Sequence, residues 1–371
     1  MAKPMPQKKV LKSRDLSGLA DYIASDKCNN IVLMLGAGVS TSAGIPDFRS
    51  PETGLYANLA RLRLPYPEAV FEINFFRENP EPFYTLAHEL YPGKFRPTVT
   101  HSFIRLLAAN GLLHTCFTQN IDTLERRAGV PDDKIIEAHG SFASQRCIDC
   151  QQPYDDAKMK RKILAKETPR CETPKCGGLV KPDIVFFGES LPDEFIRAIP
   201  NVAKADLLII MGTSLTVHPF AGLAERAPLA CPRVLVNLDV VGSIGRRPND
   251  LVLLGKCDEV VRALCEKLGW GEELEALWAK TEAKVAWEEE AEAREEEAET
   301  KAEEAEEKHE GKAPTAEDVV GAIADAIGKK LNLEEEDGQS DDTTPTATPP
   351  SKDDVSTKDE APVADPAPGK L

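Results

Sequence analysis

Four short apolar runs constrain this chain most. They are Ile31–Leu35 (IVLML), 112–117 (LLHTCF), 206–211 (DLLIIM) and 233–238 (RVLVNL). Each has the length of a strand and the continuous apolar character of one buried on both faces, and each runs into a polar or glycine-bearing turn. Helical patterns lie between them. Strands alternating with helices predict a doubly wound, parallel α/β sheet, whose ligands sit beyond the carboxyl ends of the strands. Three of those ends carry GAGVS, TQNID and GTSL, and the fourth carries Asn237-Leu238-Asp239. Polar motifs at successive strand ends predict one shared site.

Two stretches break the strand–helix rhythm. Residues 51–100 are rich in Pro, Phe and Tyr, and residues 143–181 hold two pairs of cysteines. Both read as insertions that together build a smaller second lobe. After Trp270 the composition changes: residues 271–371 hold 31 of the 62 acidic residues and 11 of the 45 basic ones. The formal net charge of −17 therefore belongs to a tail, and the globular part is close to neutral. The predicted organisation is a flexible N-terminus (1–14), a catalytic domain (15–270), a helical acidic extension (271–333) and a disordered Pro/Thr/Ser-rich end (334–371). No apolar run reaches the roughly 18 residues of a membrane span. The start of the chain lacks the apolar core of a secretory signal. With nine cysteines, an odd number, and no signal, the chain reads as soluble and intracellular. No basic stripe suggests nucleic-acid binding, and the tail is acidic.

The glycine loop Gly36-Ala37-Gly38 follows a strand, so its backbone amides can approach a pyrophosphate. A structural turn is the other reading of so short a motif. The next glycine, Gly44, comes six residues later, and the acid an ordinary NAD dehydrogenase needs about 20 residues on is missing. Arg61 and Arg63 stand there instead, so simple hydride transfer is disfavoured. Cys147-x-x-Cys150 and Cys171-x4-Cys176, separated by 20 residues, read as two knuckles of a tetrahedral zinc site. Four thiolates saturate the metal, so the zinc is structural and a zinc-dependent hydrolase is disfavoured. His139, before Gly140 and close to the zinc module, reads either as a structural histidine or as a general base between the lobes. KPDIVFFGESLP (181–192) reads as a buried strand whose edge can take up an extended peptide.

GAGVSTSAGIPDFRS, TQNID, the His139-Gly140 pair, the paired cysteines, KPDIVFFGE and GTSLTVHPFA occur in one order. Over about residues 15–270 they closely resemble the sirtuins, NAD-dependent protein-lysine deacylases. The branch they look most like contains cytoplasmic and nuclear deacetylases of histones and tubulin. The resemblance implies a Rossmann-like sheet lobe with an inserted zinc-binding and helical lobe. It implies that NAD is consumed as a co-substrate. Ala37, Gly38, Val39, Ser40 and Thr41 line its phosphates by this resemblance, and Asp47, Phe48 and Arg49 belong to a flexible cofactor loop. Ile45, Ile121 and Asp122 form the nicotinamide pocket, and Gln119 and Asn120 hold the ribose. Gly212, Thr213, Ser214, Asn237, Leu238, Asp239 and Cys257 fall on the adenosine side. Asn237-Leu238-Asp239 departs from the basic-acidic ending more usual in the branch.

The same resemblance implies the reaction. An acetyl-lysine oxygen attacks the ribose as nicotinamide leaves, in a site that excludes water. His139 is then the general base, with Asn120 beside it, and the products are lysine, nicotinamide and O-acetyl-ADP-ribose. Phe48, Val185 and Phe186 line the channel for the lysine stem, and Gly188 and Glu189 pair with the peptide backbone. Three rivals stand beside this reading: a deacylase for other acyl groups, a mono-ADP-ribosyltransferase, and a catalytically silent NAD-binding module. In the tail, Ile323, Ile327, Leu331 and Leu333 resemble a leucine-rich nuclear export signal. A helix packed on the catalytic domain and an autoinhibitory segment are the alternatives. Expected partners are acetylated histone tails or tubulin and an export receptor, with residence in cytoplasm and nucleus.

Overall fold

The computed structural model describes residues 9–48 and 54–282. The chain divides into two units, Met1–Glu297 and Ala298–Leu371. The described residues all belong to the first. Arg49, the helix expected within 315–331, the export-like pattern and the expected disorder of 334–371 lie outside them.

In chain order the helices are α1 (Leu16–Ile23), α2 (Ile73–Glu78), α3 (Glu81–Leu90), α4 (Val99–Ala109), α5 (Leu124–Arg127), α6 (Asp156–Leu164), α7 (Asp193–Ala198), α8 (Leu223–Arg226) and α9 (Cys257–Leu268). The strands are β1 (Ile31–Leu35), β2 (Leu113–Thr118), β3 (Ile135–Glu137), β4 (Gln145–Cys147), β5 (Val180–Pro182), β6 (Leu207–Met211), β7 (Arg233–Asn237) and β8 (Asp250–Leu254). The four apolar runs of the sequence are β1, β2, β6 and β7. The main sheet has the order β3-β2-β1-β6-β7-β8, parallel throughout. The chain leaves β1 toward β2 on one side and returns to β6 on the other. The carboxyl ends of β1 and β6 therefore form the topological switch point where such sheets bind ligands.

Strand alternation builds the two covering layers. Ile31, Leu33 and Leu35 of β1 pack with Leu19 of α1, Phe103 of α4 and Val261 of α9. Val32 and Met34 face the opposite layer, with Phe195 of α7 and Leu223 of α8. A third cluster forms the smaller lobe. It joins Phe71, Phe76, Phe83, Tyr84 and Phe186 to Ile163 and Val180 of the cysteine-bearing insertion. The two insertions thus share one core, and Arg77 of α2 donates to Asp149 at 2.7 Å across their surface.

Both ends of the expected catalytic domain are tied to neighbouring residues. Leu11 is buried, the Val10 amide donates to Asn249, and Arg14 donates to the Asp250 carbonyl. At the other end residues 271–282 are helical and docked. Leu274 enters the core, and Trp278 donates from Nε1 to the Pro97 carbonyl. The Arg96 guanidinium lies 4.1 Å and that of Arg262 5.2 Å from the Trp278 ring. Among the described residues no helix is long and apolar enough to cross a membrane.

Candidate active site

The loops leaving β1 and β6 touch backbone to backbone. The Gly36 amide donates to the Met211 carbonyl and the Gly38 amide to that of Gly212. A Cβ on Gly38 would lie 2.7 Å from the Gly212 Cα, and one on Gly212, where φ is +59°, would lie 2.5 Å from the Val39 nitrogen. Only glycine permits this approach, and it leaves Ala37–Ser40 as a tight turn over the switch point.

The loop after β2 is laced into the same place. Gln119 donates from Nε2 to Thr213 Oγ1 at 2.8 Å and to the Leu35 carbonyl at 3.2 Å. Asn120, buried, donates to the Gly36 carbonyl and to Ser40 Oγ. Ser40 in turn donates to Asp122 at 2.6 Å, and the other Asp122 oxygen accepts the Leu124 amide. Asp122 thereby receives two hydrogen bonds, one on each carboxylate oxygen. Ser40, Asn120, Asp122, Ile121, Ile45 and Phe48 line one small cavity. Ile45, Ile121 and Asp122, expected in the nicotinamide pocket, therefore meet in space with Asn120, expected at the ribose, Ser40, expected at the phosphates, and Phe48 of the cofactor loop, although they come from two loops some 80 positions apart. Phe48 closes the cavity from the small lobe and contacts Tyr56 and Phe71 edge to face. The Asp47 carbonyl accepts the Leu55 amide at 2.6 Å. Thr41 Oγ1 donates back to the Gly38 carbonyl, outside this cavity.

His139 stands where β3 leaves the sheet. Its Nδ1 is 3.1 Å from the Gln119 carbonyl oxygen. A carbonyl oxygen only accepts, so Nδ1 carries the proton and Nε2 keeps a free lone pair. Burial pushes the His139 pKa below its ordinary value, against the opposing pull of that carbonyl. The ring is thus neutral at physiological pH and has the tautomer of a base. Gly140 has φ +66°, and a Cβ there would fall 1.8 Å from the Asp183 carbonyl oxygen. This glycine allows the 139–140 turn to lie against residues 183–185, where the Val185 amide donates to the His139 carbonyl.

The adenosine-side residues follow along the same sheet edge. Thr213 is buried and accepts from Gln119 and the Leu215 amide. Ser214 is exposed beside Thr216. At the end of β7, Asn237 donates to the Asp239 carbonyl and Leu238 is 67% exposed. Cys257, the first residue of α9, is buried beneath them with Sγ 3.7 Å from the Val236 carbonyl.

The peptide-side residues are placed less uniformly. Phe187 is bridged to residues 71–73 through both its amide and its carbonyl, and its ring is 48% exposed. Phe186, expected in the channel wall, is 1% exposed and lies among Phe71, Phe76 and Phe83. It supports the wall from behind, because the alternation of an extended segment turns its ring inward. Val185 is partly exposed and Gly188 is exposed at φ +94°. Glu189 is expected at the peptide backbone, but its carboxylate accepts from Lys181 at 3.0 Å and from the Phe186 amide at 2.8 Å. Its own amide donates to the Phe186 carbonyl.

In the small lobe the Sγ atoms of Cys147, Cys150, Cys171 and Cys176 all lie within 4.8 Å of one another. The Cys147–Cys176 and Cys150–Cys171 separations are both 3.6 Å, far too long for a disulfide. Thiolates bound at about 2.3 Å to a tetrahedral zinc stand about 3.8 Å apart. The quartet fits that ion and offers no open position, so a bound zinc would tie the end of β4 to the 171–176 loop and take no part in the chemistry.

A switch-point site at the end of a parallel sheet, a half-buried histidine with one free ring nitrogen and a second lobe closed by four thiolates define a dinucleotide-dependent enzyme with a structural metal knot. Residues 36–219 match the Sir2 family. "NAD-dependent protein deacetylase hst2" of Schizosaccharomyces pombe is 54% identical over 271 residues, covering 73% of this chain and 81% of that protein. "NAD-dependent protein deacetylase sirtuin-2" of Danio rerio is 49% identical over 300 residues, covering 76% and 79%. "NAD-dependent protein deacetylase sirtuin-3" of Mus musculus is 47% identical over 276 residues, covering 74% and 82%. The chain belongs to the Sir2 family.

Sequence reasoning missed several residues that hold the site. Asp258 accepts Ser42 Oγ at 2.6 Å and the Thr100 amide at 2.9 Å, pinning the loop after β1 to α4 and α9. Lys181 is buried, pairs with Glu189, donates to the Ile184 carbonyl and lies 4.5 Å from the Phe186 ring. His101 and Glu125 lie behind Asp122. A lysine at the start of an apolar run was the one available signal, and it points equally to a surface residue.

Proposed function

We propose that this chain removes acetyl groups from protein lysines at the expense of NAD, releasing nicotinamide and O-acetyl-ADP-ribose. The observation that carries this reading is His139, whose Nδ1 is committed to the carbonyl of Gln119, the residue before Asn120, and whose Nε2 is left as a base. Bound NAD supplies a nicotinamide–ribose bond whose cleavage leaves an electrophilic ribose carbon. Ser40, Asn120 and Asp122 bind and orient its nicotinamide and ribose end, with Ile45 and Ile121 against the ring. Phe48 covers that end and keeps water out. Gln119 and Thr213 hold the ribose and its neighbours. Ala37, Gly38, Val39 and Thr41 meet the phosphates. Gly212, Ser214, Asn237, Leu238, Asp239 and Cys257 meet the adenosine. His139 takes a ribose hydroxyl proton at Nε2, and the Gln119 carbonyl steadies the imidazolium that results.

The acetyl-lysine stem enters between Phe48 and Val185, and the peptide lies along Gly188 with Phe187 beside it. Within this reading the catalytic domain is 15–270 and the protein substrates are histone tails and tubulin, met in the nucleus and cytoplasm. An export receptor would meet the chain at 323–333. Support for these narrower assignments comes from the branch resemblance alone.

The test is nicotinamide release from NAD and an acetylated histone H4 peptide, with mass spectrometry of the peptide. One nicotinamide per acetyl group lost is expected, falling at least about 100-fold in His139→Ala. Consumption of NAD without deacetylation would replace this reading with ADP-ribosyl transfer or another acyl group.

A further inference from the structure

Behind the nicotinamide end lies a second layer of titratable side chains with no part in the reaction described above. One nitrogen of His101 and one carboxylate oxygen each of Asp122 and Glu125 lie within 4.8 Å of one another. His101 and Glu125 are 0% and 2% exposed. Two polar atoms here have no hydrogen-bond partner, His101 Nε2 and Glu125 Oε1. The Thr98 amide donates to His101 Nδ1 at 3.2 Å. An amide only donates, so Nδ1 accepts and Nε2 bears the proton. The two orphans are thus a donor and an acceptor. A metal ion would need a lone pair on Nε2, and the Thr98 amide denies it one.

A buried carboxyl this close to a second one resists ionising at neutral pH. Both Asp122 oxygens are engaged, by Ser40 Oγ and the Leu124 amide, while Glu125 Oε1 has no partner, so the carboxyl free to carry a proton is that of Glu125. We propose that Glu125 is a positioning residue for the nicotinamide end of the site, a neutral carboxyl that, with the Nε2–H of His101, leaves Asp122 as the single negative charge meeting the carboxamide. The inference rests on the function proposed above.

Every charged neighbour fits this assignment. Burial and the Asp122 charge push the Glu125 pKa up to about 8, and Glu137 on β3 adds to the rise. Thr118 on β2 supplies an opposing hydrogen bond. Cys116 on β2 has its thiol pushed up, by burial first and by Glu125 second, so it stays neutral. Burial pushes His101 on α4 down, so it is neutral as well. Arg126 is engaged with Glu137 and Asp132, and Arg127 donates from Nη2 to the Gly93 carbonyl. Above pH 8 Glu125 would lose its proton and place a second charge behind Asp122, weakening the grip on the carboxamide.

The test measures nicotinamide inhibition and kcat/KM for NAD, with an acetylated peptide, at pH 7 to 9 on the full-length chain. In the wild type, apparent nicotinamide affinity should fall about tenfold between pH 7 and 9 along a one-proton curve centred near 8. Glu125→Gln carries a permanent neutral mimic, so its ratio between the two pH values should be about one. A flat wild-type profile, an equal fall in both proteins, or a folded Glu125→Gln protein unable to bind nicotinamide at any pH would overturn the proposal. An infrared difference spectrum of the wild type between pH 7 and 9 needs no variant. Loss of a protonated-carboxyl band supports the assignment, and its absence overturns it. If the wild type releases no nicotinamide from NAD at any pH, the proposed function fails, while the infrared band still reports on Glu125.

Discussion

Arg233 and Asp250 form an ion pair with both side chains 0% exposed. The guanidinium meets the carboxylate in two parallel hydrogen bonds, of 2.9 and 2.8 Å. Asp250 also accepts the Gly245 and Arg247 amides, while Arg233 reaches Glu225 at 2.9 Å and the Ala224 carbonyl. The pair joins β7 to β8 at the end opposite Asn237 and fixes the loop between them. Removing one partner strands the other charge away from water, which costs about 3–5 kcal/mol, against about 5–15 kcal/mol for a whole domain. Arg233→Met should therefore lower the melting temperature by on the order of 10 °C. Arg233→Met with Asp250→Leu should recover more than half of that loss, because no unpaired charge is left. Thermal melts of the full-length chain followed by tryptophan fluorescence measure both. A single variant within about 1 kcal/mol of wild type, or a double variant worse than both singles added, would refute the assignment of the pair as a buried charge clamp.

Two further outcomes follow from the site. Stripping zinc with a chelator, or Cys150→Ser, should loosen β4 and β5 and remove the wall carrying Phe186, so that acetyl-peptide binding falls before NAD binding does. Equal loss of both would mean that the metal supports the sheet lobe instead. Through His139 the kcat/KM for NAD should gain an acid limb, separate from the loss above pH 8 expected through Glu125. The His139 pKa lies below the ordinary histidine value, so the neutral base is present above about pH 6.5 and is lost as pH falls through the depressed pKa. A pH–rate profile of kcat/KM for NAD checks this, and an acid limb starting well above pH 6.5 would contradict it.

What could be read in the sequence was whatever repeats at short range. The four long strands are continuous apolar runs, and their ends announce themselves through glycine, threonine and asparagine. β3 is three residues, too short for a pattern, and β8 offers only the four apolar residues Leu251–Leu254. The cysteine quartet was legible because its spacing is local. Phe186 and Phe187 are both apolar, and only the bridge to residues 71–73 decides which ring turns inward. Likewise the acid-rich composition after Trp270 suggested a helical extension beyond the domain, although Leu274 and Trp278 give the first turns an apolar face that docks against Arg96 and Pro97.

The residues hardest to read are those that hold other residues. His101, Glu125, Asp258 and Lys181 show no chemistry in the sequence, because each acquires its role only from the partners that the fold brings to it. All four sit where a loop bearing a recognised motif meets the body of the fold. Asp258 ties Ser42 to α4, Lys181 ties Glu189 to the 182–184 segment, and Glu125 with His101 backs Asp122. A buried polar group is costly unless its partner is fixed, so each such pairing converts the position of one loop into a constraint on another. In this way the motifs of three strand ends act as one site: Gln119 reaches both Thr213 and His139, and Ser40 reaches both Asn120 and Asp122. Loosening any one loop therefore disturbs the orientation of the base and of the cofactor grip together, which is why binding and catalysis should fail jointly in variants of these supporting residues.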